Sequence, residues 1–273
     1  MIPDSCHSLT LYLFPSPRGI DWATPSAIAR SAVWNHLSFK DRKIGHVAVG
    51  LREPGADKDA LLTGMTDTEK PYAGLVLRNK AGFGVLWQSY GGRLEEADTL
   101  AREISTKWRN GRLSLASWKI SPELFQHLMT YAREYRERGG DKHYGLANRP
   151  RHDEGAGCSA FGVSFLDVAG LLDDELNAAW QYRLRVPEAL IGTPVSERRV
   201  GILRLLTGAG RWATADEDAR EIVFWDPDSM HRWARAQTPP GADGVEVVDD
   251  GPMRGVIFDR RDAPVPDEPV WRA

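Results

Sequence analysis

The stretch "DEGAGCSAFGVSFLDVAGLL", residues 153–172, sets a cysteine among small residues at the head of an amphipathic run. A thiol attacks as its thiolate, and an ordinary pKa of about 8.5 leaves only a few per cent ionised at neutral pH. Beginning a helix at Cys158 would help, because the unpaired N–H groups of the first turn stabilise an anion by roughly 0.3–1 kcal/mol, or up to about 2 when partly buried. That amounts to about one pKa unit, so a reactive Cys158 also needs a cationic partner, most naturally an imidazolium. Gly157, Ser159, Ala160 and Gly162 let backbone or substrate approach the sulfur closely.

Seven histidines are candidates: His7, His36, His46, His127, His143, His152 and His231. In "GHVAVGL" the strand alternation puts Val47, Val49 and Leu51 on one face and His46, Ala48 and Gly50 on the other. The face carrying His46 is expected to be flat and roomy, a place for the head of the cysteine helix to dock. His143 and His152 lie in the polar loop "DKHYGLANRPRHDEGAG", where a fixed rotamer is hard to maintain, and rank below His46. Each residue also has a structural reading. A buried cysteine commonly serves as a small core hydrophobe, a strand histidine as a hydrogen-bonded structural group, and Cys6 as an incidental thiol.

The elements that must position this chemistry read as a mixed α and β chain. "LTLYLF" (9–14) is a strand stopped by Pro15, and Thr24-Pro25 opens a helix with Ile28, Ala32 and Leu37 near one stripe. "KIGHVAVGL", "ALLTGMT", "FGVLWQSY" and "RLSLASWKI" read as strands, with a helix over "RLEEADTLAREISTKWRNG". Ser121-Pro122-Glu123 caps a helix whose Leu124, Leu128, Tyr131 and Tyr135 share a face, and Phe161, Phe165, Val168 and Leu172 line the cysteine helix. Past residue 180, "YRLRVP" is one more strand and "DPDSMHRWARA" a short helix started from Asp228. From about Gln237 the chain is Pro- and Asp-rich, with two β-like pieces, "GVEVV" and "GVIF", that wrap the body or hang loose.

Composition narrows the function classes. A formal charge of −3, with Lys and Arg thinly spread, offers no footprint for nucleic acid or an anionic membrane. No apolar run is long enough for a membrane span. No CxxC or His/Cys cluster has metal-site spacing, and Gly208-Ala209-Gly210 continues as Arg-Trp rather than as a dinucleotide loop, so no metal and no cofactor is expected. The two cysteines, Cys6 and Cys158, leave a single bridge open. The ten tryptophans read as core and interface burial rather than a saccharide groove.

"HYGLANRPRHDEGAGCSAFGVSFLDVAGL" resembles the active-site segment of the NlpC-type papain-like cysteine peptidases, and "GHVAVGL" resembles their histidine strand. The order is reversed, histidine before cysteine, as in circularly permuted members; the layout resembles that of lecithin retinol acyltransferase and the permuted papain-fold isopeptidases. The resemblance covers roughly residues 9–175, with its specific part in those two stretches. It implies an α+β fold, an antiparallel sheet with packed helices, divided into a catalytic domain over 1–206 and an extension of unknown role over 207–273. Cys158 would be the nucleophile, His46 the general base that later protonates the leaving group, and Tyr144 a helper near the oxyanion. The orienting third group falls on Thr63, or on Gln88 as the better hydrogen-bonding side chain. Gly157 stands where many relatives carry aspartate.

The activity so implied is hydrolysis of an amide through an acyl-enzyme, foremost as a bacterial cell-wall peptide amidase or endopeptidase acting on murein peptides. The alternatives are a lipid acyltransferase, a (thio)esterase or an isopeptidase, the lipid enzymes needing an apolar channel beside Cys158 walled by the chain beyond residue 180. A binding module with a structural cysteine is the reading from another class. A murein substrate would place the protein in the cell envelope or outside the cell, and otherwise in the cytoplasm.

Overall fold

A computed structural model describes residues 5–36, 44–68, 79–208, 210–237, 244–250 and 253–273. The run "HSLTLYLF" forms β1 (His7–Phe14) and is buried along almost its whole length, because it lies inside a sheet covered on both faces. It pairs antiparallel with β2 (His46–Arg52) and with β6 (Ser114–Ile120). One face carries Leu9, Leu11, Leu13, Val47, Val49, Leu51 and Trp118 into the main core. Two helices cover this face, α3 (Pro122–Glu137) and α4 (Cys158–Val168). The other face carries Tyr12, Phe14, Ala48 and Leu115 against Leu100 of α2 (Ala97–Arg109).

The architecture is α+β. The six-stranded sheet runs in the order β10 (Val245–Asp250), β11 (Met253–Asp259), β6, β1, β2 and β3 (Leu61–Thr63), and is antiparallel except where β11 lies parallel to β6. A three-stranded sheet joins β4 (Met65–Asp67), β5 (Tyr90–Leu94) and β7 (His143–Tyr144), and a hairpin pairs β8 (Gln181–Pro187) with β9 (Ala219–Trp225). This hairpin shares a second core with α1 (Pro25–His36) and α6 (Ile202–Thr207). Two further short helices are α5 (Asp174–Trp180) and α7 (Pro227–Ala236).

Several local expectations are corrected. "ALLTGMT" is not one strand: β3 (Leu61–Thr63) belongs to the main sheet and β4 to the small one, with the change at Gly64. "FGVLWQSY" opens with a 3-10 turn, Phe83–Trp87, because Gly82 takes a positive φ of 53° and Gly84 lies against the Gly192 backbone, where a Cβ would stand 2.5 Å from the carbonyl oxygen. The cap of α7 is Asp226, which accepts from the Ser229 N–H. Asp228 faces inward and accepts from the Ser16 backbone and hydroxyl at 2.7 and 2.6 Å. Leu37, Ala209 and the start of the "KIGHVAVGL" run lie outside the described residues.

The described part of the last stretch packs on the body. β10 (Val245–Asp250) and β11 (Met253–Asp259) add to the sheet at β6, and α7 packs on β1, β6 and β11. Beyond them the chain is held by Arg151, a buried cation. Its guanidinium donates to the carbonyls of Val270 (2.8 Å) and Pro269 (2.6 Å) and reaches Asp167 on α4 at 2.7 Å.

His231 on α7 lies behind β6, its Nδ1 2.8 Å from the Ser114 hydroxyl. Burial, and then the nearby Arg235, bring its pKa down to about 4, despite a hydrogen bond to the Leu13 backbone and the charge of Asp228. The folded state therefore holds this imidazole neutral while the unfolded chain takes up a proton near pH 6.5. Its contribution to stability is complete above about pH 6.5 and is lost as the pH falls towards 4. Urea unfolding is expected to show a midpoint that declines across this window, and His231→Gln to flatten that decline.

Candidate active site

α4 begins at Cys158. Its N-cap, Gly157, supplies no side-chain hydrogen bond, so the first-turn N–H groups have no capping side chain. The loop leading in turns through two left-handed residues, Asp153 (φ 60°) and Gly155 (φ 78°). At Gly155 a Cβ would stand 2.1 Å from the His143 carbonyl oxygen. The same carbonyl accepts from the Ala156 N–H at 3.1 Å, which pins the loop to β7. The next residue on β7 is Tyr144, set opposite Tyr90 in β5.

One turn beyond Cys158 is Gly162, where a Cβ would meet Val47 Cγ1 at 2.6 Å. Missing bulk here lets α4 press onto β2 and brings the sulfur to the first residues of the strand, with Sγ 4.0 Å from the Gly45 carbonyl oxygen. The expected docking face is thus corrected. α4 packs on the face of Val47, Val49 and Leu51, and the room at Gly50 is taken by Tyr12 and Asp59, which a Cβ would meet at 2.9 and 3.0 Å. His46 escapes the alternation rule by being the first residue of the strand, where the thiol meets it across the strand end.

Burial alone would push the Cys158 thiol up. The hydrogen bond and charge of His46, together with hydrogen bonds from the Val47 backbone and the Tyr144 side chain, outweigh it, and the pKa lies below that of an ordinary thiol. On its far side His46 meets a residue not singled out from sequence: Nε2 lies 2.6 Å from Glu95 Oε2, which leaves Nδ1 for the sulfur. Cys158, His46 and Tyr144 are only 5 %, 4 % and 9 % exposed, so these charge effects act in a poorly solvated setting.

Glu95 follows the last residue of β5 and is held at its backbone. Its N–H donates to the Gly64 carbonyl at 2.9 Å, and its carbonyl accepts from Thr63 Oγ1 at 3.0 Å. Where Thr63 or Gln88 was expected to orient the imidazole, the side chain that lies against His46 is that of Glu95. The Thr63 hydroxyl acts one step back, on the Glu95 backbone, and the Gln88 side chain accepts from the Tyr90 hydroxyl at 3.2 Å. At Gly64 a Cβ would stand 2.8 Å from Glu95 Oε2 and 2.9 Å from His46 Nε2, so the break between β3 and β4 also clears space for the carboxylate–imidazole contact. In the sequence Glu95 is the first of a glutamate pair at the head of a helical run, and nothing in "RLEEAD" marks it apart from Glu96.

Cys6 and Cys158 are both free thiols. Cys6 precedes His7, which pairs with Ile120, whereas His46 pairs with Phe14 at the other end of β1, so the fold keeps the two sulfurs at opposite ends of the strand.

Two variants isolate the carboxylate. Glu95→Gln and Gly64→Ala are each expected to raise the Cys158 pKa and lower the rate of iodoacetamide alkylation at pH 6 by about tenfold, one pKa unit. His46→Ala should return the profile to an ordinary thiol near pH 8.5. The pH–rate curve of alkylation, in a Cys6→Ser background, measures all three.

Comparison of the chain with family models, with curated proteins and with solved structures gave no match.

Proposed function

We propose that the protein is a thiol hydrolase of amide bonds, built on a permuted papain-like arrangement in which the histidine strand precedes the cysteine helix. The observation that carries this reading is the position of His46 between the Cys158 sulfur and the Glu95 carboxylate. A structural cysteine does not require a buried imidazole on one side and a carboxylate behind it. Desolvating three ionisable groups is costly and is offset only when their charges and hydrogen bonds meet, and perturbed pairs of this kind concentrate where chemistry is done.

In the reaction so proposed, the Cys158 thiolate attacks the carbonyl carbon and its C–O π electrons move onto oxygen. The oxyanion is received by the Cys158 N–H at the head of α4 and by the Tyr144 hydroxyl. As the C–N bond breaks, His46 passes its proton to the departing amine, leaving a thioester on Cys158. His46 then takes a proton from water, whose oxygen displaces the sulfur and releases the acid. Glu95 keeps the imidazole oriented and favours its cationic form throughout.

Murein peptides are the proposed substrate class, on the strength of the resemblance around Cys158 and His46. Two shallow hollows of about 300 and 380 Å³ among the described residues lie at Trp108 and at Glu246. Neither is lined by Cys158, His46 or Glu95, so neither serves as an acyl-chain channel at the thiol. Incubation with murein peptide fragments is expected to release new amines, to leave an acyl adduct on Cys158 visible by mass spectrometry, and to fail with Cys158→Ala. Glu95→Gln should lower kcat by about ten- to a hundredfold with little change in KM, the range seen when an orienting partner is lost. Unchanged amine release by Cys158→Ala would rule the reading out.

A further inference from the structure

Among the described residues the exposed large hydrophobics are Val33, Trp34, Ile44 and Leu203, and three of them stand on α1 and α6, which pack against each other. Trp34 is 57 % and Leu203 70 % exposed. The inner side of this helix pair is accounted for, since Ile28, Ala29 and Leu205 enter the second core. The outer side has no partner among the described residues. On α1, Arg30, Val33 and Trp34 share a face by their i, i+3, i+4 spacing, and Arg18 lies over the Trp34 ring with its guanidinium carbon 5.1 Å from the centroid. On α6, Leu203 and Arg204 are both exposed, as is Arg199 just before the helix.

The charge around these side chains is predominantly positive. Neither "PSAIARSAVWNH" nor "ILRLLT" contains a carboxylate. Arg18, Arg30, Arg199 and Arg204 oppose Asp21 and Glu197 in the adjoining loops, although the whole chain carries −3. Elsewhere on the surface many arginines are spent on neighbouring carboxylates, as in Arg133–Glu137, Arg211–Glu217 and Arg261–Asp259; no such pair forms at these four among the described residues. An exposed tryptophan and leucine flanked by guanidinium groups that meet no carboxylate among the described residues match the layered chemistry of a bilayer surface. The rings and alkyl chains enter the headgroup boundary, and the cations remain with the lipid phosphates.

We infer that the outer side of α1 and α6 is a docking face for a membrane surface rich in anionic lipid. The inference stands on this face and not on the proposed hydrolysis.

Co-sedimentation with phosphatidylglycerol-containing vesicles, against pure phosphatidylcholine vesicles, tests it with the full chain. Binding is expected to the anionic vesicles, to fall roughly tenfold or more in Arg199→Gln/Arg204→Gln and in Trp34→Ser/Leu203→Ser, and to weaken in 0.5 M salt. All four positions are exposed, and circular dichroism checks that the variants stay folded. Absence of vesicle binding, or equal binding by parent and variants, overturns the inference. So does a mass doubled in light scattering without lipid and returned to monomer by Trp34→Ser/Leu203→Ser, which would make the face a contact between copies.

Discussion

The candidate site depends on close approach at two positions without side chains. α4 reaches β2 closely only because Gly162 adds nothing between the helix backbone and Val47, and the Glu95 carboxylate reaches His46 only because Gly64 leaves the intervening volume empty. Protein interiors are packed to crystal-like density, so a single added methyl at either place has no free volume to enter. These glycines are chosen for size, unlike Gly155, whose positive φ would strain any other residue even in open space.

Closeness also sets the electrostatics. In water a thiolate and an imidazolium at contact attract weakly; in a poorly solvated junction the same pair interacts several times more strongly, while each charge loses hydration. Which effect prevails is decided by how many groups share the load. At Cys158 the imidazole, the Val47 backbone and the Tyr144 side chain together outweigh burial, and behind the imidazole stands a carboxylate held by its own backbone. The contrast with His231 is instructive. That ring is also buried, but after burial the largest influence on it is the cation of Arg235, and at neutral pH it stays uncharged.

Much of this was legible in the sequence, for reasons that can be named. Cys158 and His46 stand out because a reactive thiol requires small neighbours and a helix start, and a strand histidine requires alternation; both requirements are local. The capped helix at Ser121-Pro122 was equally local, with Leu124 N–H donating to Ser121 Oγ. Glu95 was hidden because its role is set by where β5 ends, and two adjacent glutamates differ there only in register. The docking of α4 on the valine face was hidden because alternation says which residues share a face and not which face a distant helix will choose. The pieces "GVEVV" and "GVIF" were recognisable as β-like, but the parallel partner of the second is β6, separated from it by more than half the length of the chain.

Arg151 adds a temporal dimension to this arrangement. It sits in the loop that carries the chain into Cys158, and the carbonyls it holds belong to Pro269 and Val270, 118 and 119 positions further along. The parallel pairing of β11 with β6 spans a similar stretch. A chain emerging from the ribosome therefore displays its thiol, its histidine and its glutamate long before the fastening for the thiol's loop exists. Until residues 269–270 are free, Arg151 is a cation holding Asp167 but missing two of its acceptors. The nascent protein thus carries Cys158 behind a loop not yet tied down, and that loop's fastening cannot be completed before the last residues of the chain are made.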